Sequence, residues 1–173
     1  MNFRRTVFDG GLSLFQTKVN GAILHFDGAR FTGGKLHLGG ARFRDFNLFF
    51  RKAEFAGGEV YFGATEFVQP RTRRPRGNLL FDNARFDGAE VVWNQVRIEG
   101  LVDVRFNDTE FRSGIVDMST IKVVRRVGDG ALPRVRVKPK HLADGVLTLP
   151  EEESERIVLE LPPGSQETGP ALG

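Results

Sequence analysis

Large apolar residues recur along this chain in steps of alternately five and seven: Phe26, Phe31, Leu38, Phe43, Phe50, Phe55, Phe62 and Phe67. Each is preceded two positions earlier by a second apolar or small residue. Leu24, Leu36, Leu48 and Val60 stand before one half of the ladder, and Ala29, Ala41, Ala53 and Thr65 before the other. Two such inward residues separated by one outward residue make a minimal strand, because successive side chains on a strand point to opposite faces. The residues left over form alternating short and longer corners, Asp27-Gly28 and Thr32-Gly33-Gly34-Lys35 among them, and glycine suits corners because it reaches positive φ without steric cost. A twelve-residue unit that repeats in register predicts stacked units, none of which can bury its apolar face alone.

The register extends in both directions. Backwards it reaches Val19, Leu14, Phe8 and Phe3; forwards it resumes at Phe81 and Phe86 and passes through Trp93, Ile98, Phe106, Phe111, Met118 and Val123. Two gaps of fourteen residues, from Phe67 to Phe81 and from Val123 to Val137, each equal one seven-step corner plus seven inserted residues. Beyond the second gap Val137, Leu142 and Leu149 keep the spacing, although Lys140 stands where the small partner of Leu142 belongs. One turn reads as two five-steps and two seven-steps, twenty-four positions in all, which predicts Phe26 stacked on Phe50 and Phe31 on Phe55.

Units such as Ala29-Arg30-Phe31-Thr32-Gly33 and Ala84-Arg85-Phe86-Asp87-Gly88 resemble the pentapeptide-repeat family across residues 3 to 123. The resemblance implies that the small residue and the Phe face inward and that four such faces close into a right-handed quadrilateral β-helix. Strict five-residue spacing holds here only at every second step. The expected fold is therefore an all-β, right-handed β-solenoid of short strands, about five coils long, in an alternating-spacing variant. Its expected organisation is a solenoid over 1–124 with a basic insertion at 70–78, a basic insertion with further half-coils over 125–149, and an acidic tail over 150–173 lacking fixed structure apart from a capping strand at Ile157-Val158-Leu159-Glu160-Leu161.

A left-handed hexapeptide helix would need apolar residues at 26, 32, 38, 44 and 50, but Thr32 and Arg44 interrupt that series. A β-sandwich is the other reading of many short strands, though its strands usually run longer than three residues. Most of the 16 Phe residues fall on the ladder, so they belong to the core rather than to base-stacking platforms, each burial contributing roughly 1.5–3 kcal/mol. Phe15, Phe46 and Phe49 fall off it and are the expected exposed aromatics.

Charge is distributed by region. Residues 71–76 sum to +4 and 125–142 to +5, whereas 77–124 sum to −3 and 143–173 to −6, within a net charge of +3. Arg71, Arg73, Arg74 and Arg76 crowd the first insertion and Arg125 and Arg126 open the second. These six are the candidate binding residues, since arginine clusters engage phosphates or acidic protein surfaces by charge and paired hydrogen bonds. The spacing between the insertions amounts to a little over two regular turns, which predicts that they leave the rod at rotated corners.

Chemistry is sparse. His25 and His37 occupy outward positions on different sides, and His141 lies in a basic segment; neither a metal site nor a catalytic constellation is expected, and no cofactor. Outward Glu54, Glu66 and Glu110 hold the same strand position as Arg30, Arg42 and Arg85, which predicts salt-bridged rows rather than a hydrolase site. With no cysteine, no apolar run near 20 residues and a repeat that begins almost at the first residue, the expectation is a cytoplasmic protein without a membrane span. The expected function is that of a non-enzymatic scaffold for a protein partner, with a second copy stacked end to end as a further partner. The resemblance offers gyrase interaction through DNA mimicry as an alternative. A mimic needs an acidic surface, however, and residues 1–124 sum to +4. Direct nucleic-acid binding through the basic loops is the third reading.

Overall fold

The computed structural model describes residues 1–69, 77–124, 133–150 and 157–160. Among them the secondary structure is all β, and every pairing between strands is parallel. Parallel neighbours such as Arg30↔Glu54, Leu24↔Leu48 and Glu66↔Arg42 lie one regular turn apart, at the spacing that the ladder predicts. The antiparallel pairs of a sandwich do not occur among the described residues, and Thr32 and Arg44 are exposed, as an outward position in the five-and-seven pattern requires and a hexapeptide core does not.

The strands fall into four columns that the chain visits in turn. The first column contains Ile23–His25, Asn47–Phe49, Gly77–Leu80 and the start of Val102–Asp117 and Arg134–Leu142, with Ile157–Leu159 at its end. The second begins with Val7–Phe8, Arg30–Phe31 and Glu54–Phe55; the third with Gly11–Ser13, Lys35–His37 and Glu59–Tyr61. The fourth is a separate five-stranded sheet of Lys18–Asn20, Arg42–Arg44, Glu66–Gln69, Arg97–Gly100 and Lys122–Val124. Long strands such as Val102–Asp117 pass around corners without a break and join the first three columns into one sheet.

Inward residues of one column pile directly upon each other. The Phe26 and Phe50 rings are 4.8 Å apart and 8° from parallel, and Phe31 and Phe55 are 4.9 Å apart and 4° from parallel. The stack continues through Phe81 and Phe106 in one column and Phe86 and Phe111 in the next, at 4.6–5.2 Å. That interval is the ordinary spacing of hydrogen-bonded strands, so backbone pairing and ring stacking are satisfied by the same rise. The small partner residues make this possible: Ala29, Ala41, Ala53 and Ala84 are buried and leave the interior to the rings.

Pairing continues beyond the second insertion, where Phe106 aligns with Val137 and Phe111 with Leu142. A register shift around Lys138–His141 absorbs the misplaced Lys140. Phe46, expected at the surface, is instead 1% exposed and packs against Phe43 and Phe67. It sits in the two-residue corner after the fourth column, where Asp45 at φ 53° turns the chain. Phe49 is half-buried beneath the Arg51 guanidinium, and only Phe15 is largely exposed.

Candidate functional site

The outward positions carry the charge. On the second column Arg30 pairs with Glu54 at 3.1 Å and Arg85 with Glu110 at 3.1 Å, and Arg112 adds to Glu110 at 2.8 Å. Burial pushes the Glu110 carboxyl up, but the hydrogen bonds and charges of Arg112 and Arg85 outweigh it and hold it below the usual range. On the third column Lys35 pairs with Glu59 at 2.9 Å and lies over the Tyr61 ring. The rows expected from the Arg and Glu alternation are thus present, because parallel in-register strands set position upon position.

At the corner leaving the first column, Asp27 gathers Arg51 at 2.8 Å, His25 at 3.2 Å and Arg4 at 3.3 Å. Burial raises the Asp27 carboxyl, while the hydrogen bonds from Arg51, His25 and Arg4 lower it by more, leaving it below its ordinary value. His25 and His37 lie on different columns, as their spacing implies. No group of three metal-ligating side chains occurs among the described residues.

The fourth column differs from the others. Arg42 pairs with Glu66 and Arg97 with Glu99 at 2.9 Å, but Lys18, Arg44 and Lys122 make no ion pair within the described residues. Two more strand cations without an ion pair there, Arg134 and Arg136, lie on the first column. Every strand-borne cation in this condition therefore belongs to the two columns that meet at one corner. That corner also carries both insertions: one runs from the end of Glu66–Gln69 to the start of Gly77–Leu80, the other from the end of Lys122–Val124 to the start of Arg134–Leu142.

The expectation of rotated corners is corrected here. Phe67 aligns with Ile98 on the next strand of the fourth column, and Ile98 aligns with Val123 on the one after, so the two insertions are separated by two whole turns. The residues of the first insertion lengthen the very turn used to measure the separation. Both insertions are anchored on one edge, about 10 Å apart at two strand spacings. Arg71, Arg73, Arg74, Arg76, Arg125 and Arg126 themselves lie outside the described residues. Sequence reading missed Lys18, Arg44 and Lys122, whose lack of partners emerges only once the rows are aligned.

No helix among the described residues is long and apolar enough to cross a membrane. Comparison of the chain with protein-family models, with curated proteins and with solved structures gave no match.

Proposed function

We propose that this chain is a non-enzymatic scaffold, a right-handed β-solenoid of four-sided section that presents one basic flank to an acidic protein partner. The solenoid reading rests on the turn-by-turn parallel register and the continuous ring stacks; its handedness follows the resemblance to pentapeptide-repeat proteins. It includes a cytoplasmic setting, in keeping with charged residues on the outside of all four columns. The single observation that carries the functional reading is the confinement of partnerless strand cations, among the described residues, to the two columns flanking the insertion corner.

A protein surface fits better than nucleic acid. Carboxylates are interspersed along the flank: Glu66 and Glu99 on the fourth column, Asp103 on the first, and Asp82 at the corner that leaves the first. A phosphate backbone would meet repulsion at each of them, whereas a predominantly acidic protein surface can set a basic side chain opposite each carboxylate. The same basic flank runs against DNA mimicry, which calls for acidity.

Affinity capture from native lysate tests the reading. Replacing Arg71, Arg73, Arg74 and Arg76 by Ser, or Lys18, Arg44 and Lys122 by Gln, should release a partner protein held by the wild type. Replacing Arg30, Lys35 and Arg85 by Gln on the other columns should not. Equal loss from both sides would remove the flank from the account, and capture that disappears on nuclease treatment would assign it to nucleic acid.

A further inference from the structure

The basic flank contains a defined cleft of about 580 Å³ on the outside of the fourth column. Its shape follows from register. Arg44, Val68, Glu99 and Val124 occupy the same outward position on successive strands, so the short Val68 side chain lies between two long ones and leaves a trough. Val68 is 6% exposed and floors it. Alongside run Arg42 and Arg97, each already held by a carboxylate, Glu66 for the first and Glu99 for the second.

Among the described residues that line the trough, the charges do not cancel. Arg42, Arg44 and Arg97 supply three positive charges and Glu66 and Glu99 two negative, which leaves one. The uncompensated charge is that of Arg44, which makes no ion pair within the described residues. Its neighbours are pinned: the Arg97 Nε donates to Glu99 at 3.0 Å, and the Glu99 side chain is only 6% exposed. Among the described residues, an occupant therefore meets one guanidinium without an ion pair, a small apolar floor and two carboxylates already held by arginine.

Resting on the reading of the flank as a protein-binding surface, we infer that this trough seats a glutamate side chain of the partner. Its carboxylate pairs with Arg44 and its two methylenes lie over Val68. A single negative charge neutralises the described lining, whereas a doubly charged phosphate would overshoot it and would face Glu66 and Glu99 at close range. Bidentate pairing with a planar guanidinium is the strong geometry for a carboxylate.

The test titrates the full chain at low ionic strength with a blocked hexaglutamate peptide, a phosphoserine peptide of equal length and inorganic phosphate, read by methyl NMR and calorimetry. Hexaglutamate should shift the Val68 methyls, and Arg44→Gln should weaken its binding at least tenfold while Arg30→Gln, which removes the same charge from the second column, changes it less than twofold. Val68→Phe, which fills the trough and leaves every charge in place, should weaken it likewise. Equal losses for Arg44→Gln and Arg30→Gln, no shift at Val68, or tighter Arg44-dependent binding of the phosphoserine peptide would each overturn the inference. A partner that survives Arg44→Gln and Val68→Phe but is lost with the insertion arginines would leave the wider reading standing without this trough.

Discussion

Phe55 shows how much one residue contributes here. Its ring is fully buried between Phe31 at 4.9 Å and Phe86 at 4.7 Å, both within 4° of parallel. Phe55→Ala removes two stacking partners at once and leaves a cavity that neighbouring rows, fixed by backbone pairing, cannot close. The expected cost is about 3–5 kcal/mol in denaturant unfolding, followed by the emission of the lone buried Trp93. Phe15→Ala, at a ring 51% exposed, should cost less than about 1 kcal/mol. Periodicity alone told these two phenylalanines apart. It failed for Phe46, because a ladder describes strands and says nothing of where a corner side chain turns.

Asp27 provides a second test at this scale. Its carboxyl is held below the ordinary value, so the stability it contributes is fully present above the unfolded pKa and is lost as pH falls through the folded one. Asp27→Asn should cost about 1 kcal/mol or more at pH 7. The difference between variant and wild type should shrink from about pH 4 downward. A gap that stays constant from pH 7 to pH 3 would mean that the charge on Asp27 plays no part.

At the level of the element, corners matter as much as strands. Gly34 adopts φ +68°, and a methyl group there would fall 0.9 Å from the carbonyl oxygen of Gly10 in the preceding row. Gly58 repeats the arrangement one row on, where a methyl would lie 2.5 Å from the Gly34 oxygen. Glycine is needed at this corner for backbone approach between rows as well as for positive φ. Gly34→Ala should destabilise by more than about 2 kcal/mol. Gly88→Ala, at φ +86° but with nothing near its missing side chain, separates the two causes and should cost less. The sequence marks both as corner glycines with equal force; only the stacking of one corner on another distinguishes them. Strand positions were far more legible, since each needs only an inward pair, and the predicted partners of Phe26 and Phe31 are the observed ones.

Across the whole molecule, regular register converts a list of outward residues into rows, and rows into flanks of different character. The second and third columns pair their strand cations with carboxylates; the fourth and first leave five unpaired within the described residues. Composition could not reveal this, because a net charge of +3 is compatible with any distribution. The placement of the two insertions was misjudged for a related reason: a fixed turn length was applied across a turn that the first insertion had lengthened, the one that carries the chain from Phe67 to Ile98. The repeat was legible because it is written in apolar residues. The functional flank was not, because it is written in the absence of partners.

The central claim is that parallel strands of the fourth column stack in unbroken register, and a single distance tests it most directly. Lys18 aligns with Arg42, Arg42 with Glu66, Glu66 with Arg97, and Arg97 with Lys122, which places the two lysines four strand spacings apart. The chain contains no cysteine, so Lys18→Cys with Lys122→Cys can be spin-labelled selectively. Pulsed electron resonance should give one narrow distribution centred near about 20 Å, four spacings of about 4.8 Å together with the label arms. A broad distribution, or a maximum beyond about 30 Å, would contradict the stacked register and with it the flank built upon it.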